Sequence, residues 1–456
     1  MKPYQFIISL LLTVTVAVCF VPPAWAFCGF YVAKADSKLY NKASQVAIAR
    51  SGDRTVLTMA NDYQGEVKDF AVVVPVPTVV QKDQVRVALP KILERLDAFS
   101  APRLVEYFDS NPCAQNYPEA MDALPVPAPR SAGAARRERN DSLGVTVEAR
   151  FNVGEYDIVI LSAKESGGLE TWLNRNGYKI PRGAQQLLQP YIRQKMKFFV
   201  AKVNLDKFEK TGYQFLRPLQ ISYQSPKFML PIRLGMINAT SEQDLIVYIL
   251  SPKGQAEVTN YRTVKIPSDA NIPLFVKQEF GSFYKSMFQT AYTREDKKVA
   301  FLEYAWDMSN CDPCSADPLN REELKQAGVF WLDNVSPENK PVPRPRVVRP
   351  PVMSDNVFIT RLHVRYTRNK FPEDLMFQET SNRESFQGRY ILQHPFTGEM
   401  NCEIGRQYKQ SLPKRFEGEA QTLAKLTNWN IQEIRSKMKL GGQVTTSWWR
   451  NFFSWL

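Results

Sequence analysis

Gln45-Val46-Ala47-Ile48-Ala49-Arg50, then Ser51-Gly52-Asp53, then Thr55-Val56-Leu57-Thr58-Met59-Ala60 is the segment whose reading decides the fold class. Two short, mostly apolar runs flank a Ser-Gly-Asp turn, the signal of a β-hairpin. Asn61-Asp62-Tyr63-Gln64-Gly65 then turns the chain into Phe70–Val76, a near-continuous apolar run that predicts a buried strand. Pro75 and Pro77 are expected to end its pairing, because proline has no N–H to give to a ladder.

Working outward, Lys91–Phe99 and Arg103–Phe108 have apolar spacings of three and four and read as short helices. Val145–Phe151, Tyr156–Leu161, Lys197–Val203, Leu219–Tyr223, Leu245–Leu250, Val299–Trp306, Val357–Thr367 and Arg389–Gln393 read as strands. Leu169–Asn176, Ala184–Met196 and a longer amphipathic stretch, Ile272–Tyr292, read as helices, and Glu417–Leu440 as a helical hairpin or a bent helix. The order lacks the strict strand–helix alternation of a doubly wound sheet. The expected class is α+β, with β-rich mixed or antiparallel sheets, flanking helices and a C-terminal helical segment.

The composition agrees with a folded chain. Of 456 residues, 44% are hydrophobic, 12% aromatic and 23% charged, which excludes disordered, collagenous and polytopic membrane classes. At roughly 150 residues per domain there is room for about two or three domains. Two breaks divide the chain. Residues 122–140 carry Pro125, Pro127 and Pro129 and then Arg136, Arg137 and Arg139; residues 336–353 hold six prolines interleaved with Lys340, Arg344, Arg346 and Arg349. Both read as solvated loop or linker, the second as extended polyproline-like chain. They separate an N-terminal β-rich part (27–121), its continuation (141–335) and C-terminal strands and helices (354–440), followed by a tail (441–456).

Residues 1–26 read as a secretory signal peptide: Lys2, the uncharged stretch Phe6–Phe20, then Val21-Pro22-Pro23 before Ala24-Trp25-Ala26. Fifteen residues fall short of the roughly 20 needed to span a bilayer. The expected location is therefore periplasmic, envelope-associated or secreted. Cys19 is expected to leave with the signal peptide, and export makes disulfides of the remaining Cys28, Cys113, Cys311, Cys314 and Cys402 the expected state, with one thiol left over because five is odd.

Cys28-Gly29-Phe30-Tyr31-Val32, Ser51–Leu57, Asp62–Gly65, Phe70–Pro77, Gly168–Pro181, Ser225–Gly235 and Cys311-Asp312-Pro313-Cys314 are together similar to the exported bacterial family known only as domain of unknown function 2330. The resemblance runs over most of the chain after the leader. It implies export and a shared fold, and it carries no activity and no functional residues.

Cys311-Asp312-Pro313-Cys314 has the spacing of a thiol–disulfide site, but Glu303, Asp307, Asp312 and Asp317 surround it and no Lys or Arg lies between Lys298 and Arg321. Negative charge disfavours the thiolate that such chemistry needs, so a structural disulfide is the expectation. A zinc site would need His363 and His394, the only histidines, at long intervals, and no calcium loop pattern exists. No Gly-x-Ser-x-Gly elbow and no phosphate-binding Gly-x-x-x-x-Gly-Lys-[Ser/Thr] loop is present. Glu155, Asp157, Glu279 and Glu303 could form an acid–base pair only if folding brought them together. No catalytic residue, metal or cofactor is assigned.

The net charge is +13, and from Lys340 to Lys370 eight basic residues face one acid, Asp355. Alternation on the strand Val357–Thr367 places Arg361, His363 and Arg365 on one face. If that face is flat and open, its guanidinium groups suit carboxylates or phosphates of an envelope polymer or a lipid headgroup; a solvated face paired with local acids is the other reading. In the tail, Trp448, Trp449, Phe452, Phe453 and Trp455 fall on one side of a short helix, with Arg435, Lys437, Lys439 and Arg450 nearby and no acids. Such a face suits an anionic membrane interface or a groove on the protein's own body. The expected function is a non-catalytic envelope protein at an anionic membrane or polymer surface, with no nucleic-acid partner. The competing expectation is an envelope enzyme, either thiol–disulfide active or hydrolytic.

Overall fold

The computed structural model describes residues 30–33, 40–41, 44–60, 63–64, 70–114, 145–176, 184–211, 216–236, 242–310, 312, 315–334 and 356–440. The class is α+β: among these residues eight helices flank several mixed and antiparallel sheets. The largest sheet contains β1 (Ser44–Ser51), β2 (Arg54–Met59), β3 (Val85–Val87), β4 (Leu219–Gln224), β5 (Gln243–Ser251), β6 (Arg262–Lys265), β7 (Val299–Asp307) and β8 (Phe358–Tyr366). Their spatial order is β6-β7-β8-β5-β1-β2-β4-β3. The pairs β5–β1 and β6–β7 are parallel and the rest antiparallel.

The β1–β2 hairpin turns at Gly52, whose positive φ of 58° is open to glycine at no steric cost. Phe70–Val76 belongs to a second, five-stranded antiparallel sheet with Phe30–Ala33, Lys197–Val203, Tyr156–Ala163 and Val145–Val153. Pro75 does not end the pairing of this strand. Pairing with Lys197–Val203 runs through Pro75 to Val76, while the partner on the other side, Phe30–Ala33, stops at Val73. Among the described residues the strand beyond Val73 has one neighbour, where a missing N–H is tolerated.

The helices are α1 (Lys91–Ser100), α2 (Ser166–Arg175), α3 (Ala184–Arg193), α4 (Leu205–Glu209), α5 (Phe280–Arg294), α6 (Arg321–Gln326), α7 (Glu403–Thr427) and α8 (Ile431–Leu440). Four packed clusters order these parts into layers. Val46, Ile48, Leu245, Val247, Leu362 and Val364 meet Val72, Val74, Ile158 and Phe199 between the two sheets. Leu169, Leu173 and Leu188 of α2 and α3 cover the outer face of the five-stranded sheet. The other face of the large sheet is covered by Ile92 and Leu96 of α1 and by Phe283, Met287 and Phe288 of α5, on which Phe416, Leu423 and Ile434 of the α7–α8 hairpin rest. Period-two alternation in β8 therefore points both sets of side chains into packing.

Three expectations change. Arg103–Phe108 is a strand, not a helix, paired in parallel with Arg389–His394 from Arg103↔Arg389 onward. Six residues are too few for apolar spacing to separate the two states, and the β-branched and aromatic content follows the available partner. The stretch Ile272–Tyr292 is a 3-10 turn, Leu274–Lys277, followed by α5 from Phe280, because Pro273 precedes the turn and restricts Ile272 to extended backbone. The C-terminal hairpin begins at Glu403, well before Glu417, and is divided by Asn428, whose left-handed φ of 61° ends α7. Residues 354–440 do not stand apart from what precedes them, since β8 lies between β5 and β7.

Candidate functional site

β8 brings Arg361, His363 and Arg365 to the face that α1 and α5 cover, next to Asp244 and Tyr248 of β5. On its other side the register of β7 shifts between Leu302 and Tyr304: Leu302 opposes Leu362, Tyr304 opposes Arg361, and Glu303 is the extra residue of a β-bulge. The bulge leaves a carbonyl to satisfy, and the Gly388 N–H donates to Glu303 O at 2.7 Å. A Cβ on Gly388 would lie 3.1 Å from that oxygen and 3.1 Å from Ile266 Cγ2. Gly388→Ala should therefore lower stability by about 1–3 kcal/mol, read as a shifted urea midpoint at unchanged slope.

The resulting contacts form one chain of alternating sign. Arg361 Nη1 donates to Asp97 Oδ1 of α1 at 2.6 Å and Arg361 Nε to Glu303 Oε2 at 2.6 Å. His363 Nδ1 lies 2.7 Å from Glu303 Oε1 and Nε2 lies 3.1 Å from Asp244 Oδ1. Arg365 closes the chain with two bonds to Asp244, at 2.7 and 2.8 Å, and a third to Gln289 Oε1 of α5 at 2.7 Å. Tyr248 OH donates to Asp97 and Tyr284 OH to Glu303. Phe288 stacks on the His363 ring at 3.9 Å between centroids.

Burial pushes the Glu303 carboxyl up, but the charges of His363 and Arg361 and the bonds from His363 and Tyr284 outweigh it and hold the group at about 2. Asp244 is lowered in the same way: burial opposes, while His363 and Arg365 prevail. Burial lowers His363, yet Glu303 and Asp244 raise it above its ordinary value. With both carboxylates ionised, each ring nitrogen meets an acceptor, so both carry protons and His363 is imidazolium. Three cations thus balance three carboxylates.

Such a network holds charge in place rather than moving it. A general base needs an accessible carboxylate or neutral imidazole near the working pH, and these groups are held to cations and shielded by helices. The expected row of exposed guanidinium groups is corrected accordingly. Arg361 and His363 are buried, at 6% and 8% exposure, and Arg365 is half-buried against α5. The alternation in β8 is as expected, but both faces are covered. Phe358-Ile359-Thr360, buried without interruption just before Arg361, is the sequence signal for a doubly covered strand. Asp97, Asp244, Tyr284 and Phe288 carry no such signal, since only tertiary packing brings them to β8.

The four carboxylates considered for an acid–base pair do not meet. Glu155 pairs with Arg217, Asp157 with Lys207, Glu279 with Lys437, and Glu303 with Arg361 and His363. Of the cysteines, Cys113 and Cys402 form a disulfide, while Cys28, Cys311 and Cys314 lie outside the described residues. Asp312, between the last two, is buried and accepts from Tyr304 OH at 2.9 Å and Gln387 Nε2 at 2.8 Å. His394 sits far from His363 in partnership, bonded to Glu106 and stacked on Phe108. Among the described residues no group of three or more His, Cys, Asp and Glu is arranged to hold a metal ion.

Trp448, Trp449, Phe452, Phe453 and Trp455 lie outside the described residues. Two of the cations counted beside them are committed elsewhere, Arg435 to Glu417 and Lys437 to Glu279. An open, polar cleft of about 330 Å³, lined by Gln255, Glu257, Arg262, Lys265 and Asn382 among others, contains none of the residues singled out from the sequence.

Comparison with known proteins adds a family. Residues 22–378 match the family described as "Uncharacterized protein conserved in bacteria (DUF2330)", more than half of the chain. The chain belongs to this family. The match to DUF2330 spans both sheets and ends within the strand Leu375–Glu379, so all members of the charge network fall inside it while α7 and α8 follow it. A search of the curated proteins finds no match. A solved structure, that of the caspase-8/P35 complex, is similar over 47% of this chain and 69% of that chain, at 11% identity and a TM-score of 0.25, and carries no argument.

Proposed function

We propose that this DUF2330 protein is an exported, non-catalytic component of the cell envelope that meets an anionic membrane or polymer surface through its aromatic tail. The observation that carries this reading is the closed charge balance at β8: Arg361, His363 and Arg365 are spent, with Asp97, Glu303 and Asp244, on holding sheet and helices together. That removes Arg361 and Arg365 as surface contacts and leaves Trp448, Trp449, Phe452, Phe453 and Trp455 as the remaining candidate. The leader-like residues 1–26 support export, as does a disulfide joining residues 289 positions apart, a bond that persists in oxidising compartments. No helix among the described residues is long and apolar enough to cross a membrane.

Fractionation of cells should place the protein outside the cytoplasm with residues 1–26 removed. Co-sedimentation with anionic liposomes should be lost on deleting Thr446–Leu456, because tryptophan favours the headgroup region. Equal sedimentation by both forms would remove the tail from the reading, and cytoplasmic recovery with the leader attached would remove export.

A further inference from the structure

His363 is the one member of the network whose ordinary value lies near neutral pH, and Glu303 and Asp244 raise it in the folded protein. Glu303 of β7 faces its Nδ1, Asp244 of β5 faces its Nε2, and Phe288 of α5 covers the ring. On its own strand Arg361 and Arg365 flank it. Around these stand Tyr284 of α5 and Tyr390 at Glu303, Asp97 of α1 and Tyr248 of β5 at Arg361, and Glu242 and Tyr292 at Arg365.

We propose that His363 is a protonation latch, which as imidazolium ties β5, β7 and α5 into one unit and on losing a proton loosens α5 together with the α7–α8 hairpin packed on it. A neutral imidazole has a single N–H. One of the two carboxylates, at 2.7 or 3.1 Å, would then face a ring lone pair, and the buried network would carry an unbalanced negative charge. The same ring is the stacking partner of Phe288, whose helix shares its apolar cluster with Phe416, Leu423 and Ile434 of the hairpin. The loss of one proton therefore acts on the ring against which Phe288 of α5 rests, and α5 is the helix on which the hairpin is seated.

The direction in pH follows from the raised folded value. The latch is fully closed below about 6.5, the ordinary imidazole value, and its contribution is lost as pH rises through the higher value of the folded protein. The inference concerns the body of the molecule and stands whether or not the tail meets a membrane.

The chain contains two histidines, so its imidazole NMR spectrum has two signals, and His394→Gln assigns them. His363 should titrate above 6.5. In step with it, amide protection in Phe280–Arg294 and in the hairpin, corrected for the intrinsic pH dependence of exchange, should fall about tenfold or more, while the β1–β2 hairpin keeps its protection. His363→Gln should show no such step. A His363 signal titrating at or below 6.5, or α5 protection unchanged across its titration in the natural protein, would overturn the proposal. Both measurements use the unaltered chain, so they decide the matter even if the glutamine variant does not fold.

Discussion

Glu303→Ala should lower the free energy of unfolding by about 3–5 kcal/mol, the cost of removing one partner from a buried ion pair. Glu303 is 1% exposed, and among the described residues it is the one that bonds to both Arg361 and His363. Its loss leaves two cations between the sheet and α5 with Asp97 and Asp244 alone, and it leaves Tyr284 OH without its acceptor. Glu303→Gln keeps the shape and removes the charge, so it should cost less, in the same direction. Urea unfolding at pH 7 reads both. A loss below about 1 kcal/mol would mean that water screens the pair, as at a surface. Acid gives an independent check. Because the folded carboxyl is held at about 2, from an ordinary 4.5, its contribution is complete above about 4.5 and is lost as pH falls toward 2. Glu303→Gln should therefore flatten the acid limb of the stability profile.

Replacing Cys113 and Cys402 by serine should cost about 2–5 kcal/mol. The bond closes a loop across 289 positions, so in the chain-entropy account it removes a large part of the freedom of the unfolded chain. In the folded protein it joins the loop after Arg103–Phe108 to the start of α7, where Cys402 also caps the helix through a contact with the Gly405 N–H. Asp109 braces the same junction by accepting from Tyr408 and Arg415 of α7, so the folded state should survive without the bond and the loss should appear in the unfolding equilibrium. Cys113 is exposed, so a soluble dithiol should reproduce the serine variant. An unchanged unfolding midpoint, with both thiols shown by mass mapping to be reduced, would set the expected cost aside.

How much of this was legible depended on the range of the interactions. The β1–β2 hairpin is written in sixteen consecutive residues, from Gln45 to Ala60, and reads directly. The alternation that puts Arg361, His363 and Arg365 on one face is equally local. Which face is covered is not local: α5 lies some seventy residues before β8, and nothing in either segment names the other. The bulge at Glu303 is invisible for the same reason, since an extra residue exists only relative to a partner strand. The strand Arg103–Phe108 is not legible locally, because six residues fit both periods and its neighbour, Arg389–His394, arrives nearly three hundred positions later. Of the six cysteines, the five after residue 26 allow many pairings, and spacing gives no preference for Cys113 with Cys402.

The place of β8 has a consequence for biogenesis. Of the strands β1–β8 it is the last to be synthesised, yet it sits between β5 and β7, so until residue 366 is available β6–β7 and the other five strands each present an unpaired edge. Completion of the sheet is therefore a late, high-contact-order event. In the interval each unpaired edge is a template for pairing with another copy of the chain.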